Sequence, residues 1–531
     1  MLFTSYSFIA FISVVFVLYY VLPKKCQWPM LLVASYVFYY IAGPTYLIFI
    51  ATTTVTTYLI SLKLDALAQT QKAYIRENKS ILSKEEKKAY KAGIKSRQWK
   101  WLLLCLFINI GILAVLKYTN FAISNVNSIL AAFHSTKQFA LLDLVLPMGI
   151  SFYTFQTMGY IIDVYRGTCP AEKNPFKLAL FVSFFPQLVQ GPISRFSDLA
   201  QSLFEQHDFD LKVVGYGLYR ILWGYFKKVV IADRILTAVN AIIRDTDTYQ
   251  GAFVLVGMLF YALELYADFT GGIDITIGIA QTMGIKVTEN FIRPYFSKSI
   301  KEYWKRWHIT MGTWFTDYIF YPISVCKPML KLSKFSRAKF GEAIGKRVPV
   351  YLSAFVVWFT TGIWHGASWN FIVWGLMNFV VIMISQELEP LYRRFHGRFH
   401  VKDKKWWSAF QIVRTILLMS SLRMFDCYRD VPLTFRMFGN MFVKFRIRSL
   451  TPEAFLGLGL TGAEYALLGV CVVVLFAVSM TEEKKGSVRD LIWAAPAAWK
   501  YVVFGGLLVV VLVFGAYGIG YDSSQFIYNQ F

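Results

Sequence analysis

Residues 101–116, WLLLCLFINIGILAVL, form an apolar run without one charged side chain. In an α-helix, which rises 1.5 Å per residue, such a run covers about 24 Å of the roughly 30 Å hydrocarbon core of a bilayer. Comparable runs recur along the chain at 8–22, 46–62, 351–364, 463–478 and 502–516. This pattern predicts an all-α, polytopic integral membrane protein.

The charges point in the same direction. Only 16% of the residues are charged, against about 25% in a soluble domain. The net charge is +23, but Lys and Arg concentrate in short loops between apolar runs, as on the cytoplasmic face of membrane proteins. The segment 62–100 has eleven basic and four acidic residues. This distribution argues against a nucleic-acid partner, and the scattered cysteines predict neither a metal site nor a disulfide framework.

The same rule predicts the topology. Lys24 and Lys25 follow the first apolar run, and basic residues precede the last run while none follows Gly518. We therefore expect both termini on the extracytoplasmic side and an even number of crossings, about twelve. In the cytoplasmic segment, Ser83 stands three residues before Glu86, which predicts a capping box at the start of a solvated or interfacial helix.

The middle of the chain, 140–320, is interrupted by Pro and Gly. Ionisable residues lie among its apolar stretches: Asp163, Glu264, Asp268 and Asp274. Broken helices and charges at membrane depth occur where they are buried in protein or line a cavity. We expect re-entrant and interfacial helices around a central funnel. A polysaccharide or lipid transporter and a structural scaffold remain alternatives, although no inverted repeat is visible.

His365 is the first candidate for chemistry. It lies in WFTTGIWHGASWNFIVWGLMN, residues 358–378, with no charge within ten positions. A neutral imidazole there is a base without a water shell, and Gly366 leaves room for a substrate. A histidine that merely packs in the core is the alternative.

His308 is the second candidate, in NFIRPYFSKSIKEYWKRWHITMGTWFTDY, residues 290–318. If 297–316 is helical, Lys301, Trp304 and Lys305 share one face with His308. Basic side chains beside an aromatic ring suit an anionic, partly flat ligand such as coenzyme A. The alternative is an interfacial helix whose lysines reach the lipid headgroups.

These two segments together resemble the signature of the membrane-bound O-acyltransferase (MBOAT) family. The resemblance extends to VLPMGISFYTFQTMGYIIDVYRG, FFPQLVQGPISRFSDL and YADFTGGIDITIGIAQTMGIKVTENF, in the order of the family, and covers most of residues 1–385. The chain is most similar to members that act in alginate O-acetylation, and less so to those that transfer D-alanine to teichoic acid.

The resemblance implies an O-acyltransferase in which His365 is catalytic and His308 orients the thioester or stabilises its oxyanion. Asp268 and Asn290, in the matched segments, are predicted to bind substrate together with Lys301, Trp304 and Lys305. The acyl group, with acetyl favoured, would come from a cytoplasmic thioester such as acetyl-CoA and serve to O-acetylate an exported polysaccharide. No permanently bound cofactor is expected, and D-alanyl transfer from a carrier-protein thioester is the alternative.

The resemblance also implies partners and a location. We expect a multi-pass protein of the cytoplasmic (inner) membrane, surrounded by lipids, with a secreted or anchored SGNH-type acetyltransferase or esterase partner. The predicted divisions are an acyltransferase core at 1–385, loops and further spans at 386–500, and a last span with its tail at 501–531. The tail ends FIYNQF, where the resemblance suggests that Tyr528 relays the acyl group; a packing role is the alternative.

Overall fold

The computed structural model describes residues 3–517. Helices make up 79% of the structure and no strand occurs among the described residues, which confirms the all-α prediction. The chain forms two compact units, one of residues 3–217 with 279–288 and one of 218–278 with 289–517. The division at 385 and 500 stays a prediction.

Eight helices belong wholly to the first unit. They are α1 (Tyr6–Val21), α2 (Gln27–Ala42), α3 (Tyr46–Glu77), α4 (Lys84–Ala132), α5 (Ile150–Arg166), α6 (Pro175–Ser183), α7 (Phe185–Leu188) and α8 (Phe196–Phe204). Two helices run from one unit into the other, namely α9 (Leu211–Tyr225) and α11 (Ala252–Thr282).

The basic segment 62–100 forms the tip of the α3–α4 hairpin. With 32 and 49 residues, these helices are about 48 and 74 Å long, so both exceed the bilayer core. The predicted capping box is confirmed: Ser83 Oγ accepts from the Glu86 amide at 3.2 Å, and a Glu86 carboxylate oxygen accepts from the Ser83 amide at 2.8 Å. Tyr74 and Tyr90 stack across the hairpin with ring centroids 4.2 Å apart.

The second unit contains the remaining helices. They are α10 (Asp233–Arg244), α12 (Ile300–Arg306), α13 (Ile309–Phe315), α14 (Tyr321–Ser324), α15 (Lys327–His365), α16 (Trp369–Glu387), α17 (Glu389–Phe399), α18 (Lys405–Tyr428), α19 (Val431–Val443), α20 (Pro452–Leu456), α21 (Gly462–Lys485), α22 (Val488–Ala494) and α23 (Ala497–Phe514). Two π-helical segments, Phe226–Ala232 and Thr316–Phe320, join consecutive helices.

Seven of the described helices are long and apolar enough to cross a membrane: α3, α4, α11, α15, α16, α21 and α23. α1 is a shorter apolar helix. These helices confirm a multi-pass membrane protein, while the number of about twelve crossings stays a prediction. The 19-residue α16 is about 28 Å long, which matches the bilayer core closely.

Candidate active site

His365 is the last residue of α15, at a tight crossing with α16. A Cβ on Gly362 would lie 2.6 Å from the Phe371 carbonyl oxygen, and one on Gly375 would lie 3.1 Å from the Gly362 Cα. Real Cβ atoms do not tolerate the first distance, so these glycines let the two backbones approach. The glycines of the 358–378 motif therefore explain where His365 lies.

Aromatic rings surround the His365 imidazole, which is 8% exposed. Its ring centroid lies 4.7 Å from Trp374, 5.1 Å from Trp364 and 6.3 Å from Phe371. Walls of this kind exclude water and hold the ring in a fixed orientation.

His308 lies between two short helices rather than within one. α12 ends at Arg306, and His308 has φ 48° and ψ 52° before α13 begins at Ile309. The condition for a face shared by Lys301, Trp304, Lys305 and His308, a continuous helix over 297–316, is therefore not met. The physical reason is that Trp307 pairs with Phe291 in an isolated antiparallel bridge, which requires an extended residue at 307.

The structure brings both histidines to one indole. Trp364 lies 5.8 Å from the His308 ring and 5.1 Å from the His365 ring, measured between centroids. His308 is 1% exposed. Burial, with a further contribution from the positive charge of Arg423, lowers the pKa of His308 to about 3, so its imidazole is neutral near physiological pH.

Arg423 and Asp426 form a buried ion pair that the sequence analysis missed. The two side chains are 6% and 2% exposed and lie 2.7 Å apart. The guanidinium carbon lies 4.7 Å from the Trp374 ring, 5.2 Å from Trp307 and 5.8 Å from Trp304. Trp374 thus contacts both Arg423 and His365. The available signal was an Arg and an Asp at i, i+3 spacing within an apolar run.

The predicted ligand face of α12 is divided between the surface and the interior. Lys301 and Lys305 are exposed. Trp304 is partly buried, with its ring 4.8 Å from Trp358 and 5.9 Å from Trp374. The lysines therefore stand apart from the aromatic cluster around the histidines. Their predicted contact with a substrate stays a prediction.

Asp268 and Asn290 are each fully buried. Asp268 pairs with Lys228, which also pairs with Asp233 at 2.7 Å. Asn290 Oδ1 lies 3.3 Å from Nδ1 of His308, and Nδ2 of Asn290 has no hydrogen-bond partner within residues 3–517. The predicted substrate contacts of these residues are untested.

A cavity of about 600 Å³ lies beside Phe291, a volume within the range of small-molecule sites. Phe291 lines it, and the Phe291 ring lies 6.4 Å from the His308 ring. Its charged lining comes from several elements, and its apolar wall includes residues of α21 and α23: Arg220, Lys227, Asp274, Glu289, Arg293, Glu482, Arg489, Val474, Leu475 and Leu507.

The remaining predicted site residue, Tyr528, lies outside the described residues. Within residues 3–517, no group of three or more His, Cys, Asp or Glu side chains could hold a metal ion.

The helices define a multi-pass membrane protein, and the chain belongs to the membrane-bound O-acyltransferase family. The family model matches residues 172–425, which include both histidines and Arg423. The match ends at Phe425, within α18.

Curated relatives extend the match beyond these residues. The chain is 33% identical to the probable alginate O-acetylase AlgI of Pseudomonas aeruginosa over 73% of this chain and 66% of that protein. It is 31% identical to the peptidoglycan O-acetyltransferase of Helicobacter pylori over 75% of this chain and 72% of that protein. It is 26% identical to the teichoic acid D-alanyltransferase of Bacillus subtilis over 51% of this chain and 66% of that protein. The chain thus spans about two thirds of the length of the first and third relatives.

Proposed function

We propose that this protein transfers an acyl group, with acetyl favoured, from a thioester to a hydroxyl group for O-acetylation of an exported polysaccharide. The observation that carries the proposal is the pair of buried imidazoles of His308 and His365 on one indole, Trp364. Two relatives that are more than 30% identical are named as a probable alginate O-acetylase and a peptidoglycan O-acetyltransferase. The D-alanyltransferase matches with lower identity over half of the chain, so acetyl transfer is the better supported reaction.

In the proposed reaction, His365 is the general base. The acceptor hydroxyl gives its proton to the imidazole while the hydroxyl oxygen attacks the carbonyl carbon of the thioester. The tetrahedral intermediate then breaks its carbon–sulfur bond, and the imidazolium returns the proton to the leaving thiolate. The products are an ester and a free thiol, and such proton transfer contributes typically 10²–10⁴-fold to the rate.

Arg423 supplies the electrostatic part of the proposed mechanism, and His308 has a positioning role. The charge that develops on the carbonyl oxygen is stabilised by fixed dipoles and cations in a site without water. Arg423 is held between indoles and paired with Asp426, so its charge needs no reorganisation during the reaction. His308 orients the thioester beside this charge.

The cavity beside Phe291 supports a cytoplasmic thioester such as acetyl-CoA as the donor. Its charged lining includes Arg220, Arg293 and Arg489, and guanidinium groups suit phosphate oxygens. α21, which lines the cavity, ends in Lys484 and Lys485, as helices do on the cytoplasmic face. We place both termini on the extracytoplasmic side of the cytoplasmic membrane on the same charge rule.

The path beyond His365 completes the proposal. Tyr528 would accept the acyl group and pass it to a secreted or anchored SGNH-type partner that acts on the polysaccharide. A phenol with a pKa near 10 is easier to deprotonate than a serine hydroxyl, and its aryl ester remains a good acyl donor.

The test uses purified protein in nanodiscs, with acetyl-labelled coenzyme A and a soluble hydroxyl acceptor. His365→Ala should lower acetyl transfer by about 10²–10⁴-fold, whereas His400→Ala, an exposed histidine after α17, should leave it unchanged. Wild-type transfer by the His365→Ala protein would remove this residue from the mechanism. Use of a D-alanyl carrier-protein thioester in place of acetyl-CoA would reassign the donor.

A further inference from the structure

The residues before α12 are paired with the residues that carry His308. Ile292 donates its amide to the Arg306 carbonyl at 2.9 Å, and Ile309 donates to the Asn290 carbonyl at 2.9 Å. Between these bonds lies the antiparallel bridge of Phe291 and Trp307. This pairing fixes Asn290 against His308, 18 positions later in the chain.

The side chain of Asn290 can have only one orientation there. The backbone N–H of Thr310, which can only donate, lies 3.1 Å from Oδ1 of Asn290. The Thr310 hydroxyl donates to the same oxygen at 2.9 Å. Turning the amide over would direct its NH₂ group at the Thr310 N–H, a repulsive pair of donors in a buried position. The backbone therefore identifies the atom that faces His308 as the amide oxygen.

This oxygen determines the tautomer of His308. Nδ1 of His308 lies 3.3 Å from Oδ1, and an amide oxygen carries no hydrogen, so Nδ1 must be the donor. In a neutral imidazole with a proton on Nδ1, the lone pair is on Nε2. We propose that Asn290 is a positioning residue that holds His308 as the Nδ1–H tautomer and thereby makes Nε2 the nitrogen that accepts or shares a proton in the reaction.

Ion pairs on either side keep the Asn290 segment in place. Glu289 accepts two hydrogen bonds from the Arg220 guanidinium, each 2.5 Å long. Arg293 donates to Glu483 at 2.7 Å. Asn290 itself is fully buried, so water does not compete for its oxygen.

The left-handed backbone of His308 is consistent with this role. A non-glycine residue at φ 48° is strained by about 1–2 kcal/mol, and such strain persists only where surrounding contacts impose it. The bonds from Ile309 and Thr310 to Asn290 follow directly on this residue and impose that conformation. Burial also lowers the pKa of His308 to about 3, so the imidazole is the neutral form in which a tautomer is defined.

The first experiment does not depend on the proposed function. Protein with ¹⁵N-labelled histidine is reconstituted in nanodiscs, and the His308 ring nitrogens are assigned by comparison with His308→Gln. The wild type should show the proton on Nδ1. In Asn290→Leu the resonances should move to the Nε2–H tautomer or to a mixture, whereas Asn290→Asp, which keeps an acceptor oxygen, should retain Nδ1–H. Retention of Nδ1–H in Asn290→Leu would overturn the proposal.

The second experiment rests on the proposed acyl transfer. Asn290→Leu should lower kcat by about 10²-fold, because a wrong tautomer removes the reactive nitrogen, with the KM for the thioester within about twofold. Asn290→Asp should recover most of kcat. Asn109→Leu is the matched control, since Asn109 is equally buried but bonds to Cys105 in α4.

The two experiments can fail separately. Asn290→Leu could change the tautomer of His308 and yet change the KM and kcat no more than Asn109→Leu does. Asn290 would then determine the tautomer, but the reaction would not depend on it. If the wild type transferred no acyl group at all, the proposed function would fail and the tautomer result would stand. Equal loss of kcat in Asn290→Leu and Asn290→Asp, with Nδ1–H retained in both, would assign Asn290 to substrate contact instead.

Discussion

The hairpin tip of 62–100 and the histidine site use positive charge in different surroundings. In the hairpin, ten of the eleven basic residues of 62–100 lie on two long helices, and side chains such as Lys88 and Lys91 are exposed to solvent. In the site, Arg423 is 6% exposed, is paired with Asp426 and lies against three indoles. Water screens the first set of charges, whereas fixed protein groups surround the second.

This difference predicts how each region responds to substitution. A charge in water interacts weakly with its neighbours, and an exposed ion pair contributes about 0–1 kcal/mol. Breaking a buried pair leaves an uncompensated charge and costs about 3–5 kcal/mol. The same burial that makes the site sensitive also strengthens its electrostatic effect on a reacting carbonyl.

The largest expected effect on stability comes from Arg423→Met. The change leaves the Asp426 carboxylate buried and unpaired, so we expect a loss of about 3–5 kcal/mol, measured by chemical or thermal unfolding in detergent. The double variant Arg423→Met with Asp426→Leu removes both charges and should recover most of this stability.

The exposed pair of Glu342 and Lys346, 3.2 Å apart and each 65% exposed, supplies the control. Lys346→Met should cost less than about 1 kcal/mol. Activity of the double variant then separates two roles of Arg423: a stable protein that transfers the acyl group at least about tenfold more slowly supports the electrostatic role. Full activity would reduce the pair to a structural element. Equal losses of stability in Arg423→Met and Lys346→Met would contradict the expected difference between buried and exposed ion pairs.

A smaller effect is expected from the burial of His308, and it depends on pH. The pKa of His308 is lowered from 6.5 to about 3 in the folded protein. Above pH 6.5 the imidazole is neutral in the folded and the unfolded protein, so it does not make the folding stability depend on pH. Between pH 6.5 and 3 the unfolded chain binds a proton that the folded protein does not. The free energy of unfolding therefore decreases by about 1.4 kcal/mol for each unit by which the pH is lowered.

The measurement compares unfolding of the wild type and His308→Gln from neutral pH to pH 5. The wild type should lose about 2 kcal/mol more than the variant over this interval, while His400→Gln controls for the substitution itself. Parallel curves for the wild type and His308→Gln would show that the folded site accepts the proton, contrary to its burial and to the nearby Arg423.

Much of this organisation follows from the sequence because it rests on local rules. The hydrophobic runs predict the long helices, and Ser83 with Glu86 predicts a helix start that the structure has at Lys84. The aromatic surroundings of His365 could also be predicted from the sequence, since Trp364 and Trp374, which enclose it, lie within nine positions of it. A motif that folds on itself can be interpreted without tertiary information.

What the sequence did not provide depends on contacts between distant segments. The break of the helix before His308 is imposed by Phe291, and Arg423 reaches the site from α18, 115 residues after His308. Helix periodicity across 297–316 could not reveal a bridge to residue 291. Likewise, the role of Asn290 became visible only when its oxygen was found against His308 and Thr310.

The smallest expected effect belongs to the hairpin. Ser83→Ala removes the side-chain acceptor at the start of α4, a bond to the Glu86 amide of 3.2 Å, and should destabilise that helix end by about 1 kcal/mol. Hydrogen exchange at 84–88 should therefore become about fivefold faster, while acyl transfer and global unfolding stay unchanged. Ser80→Ala, an exposed serine in the same turn, controls for loss of a hydroxyl. Because the cap is solvated, its loss stays local, in contrast to the loss of Arg423. If Ser83→Ala instead lowered acyl transfer as strongly as the Arg423 double variant, the hairpin would take part in catalysis and could not serve as the solvated counterpart of the histidine site.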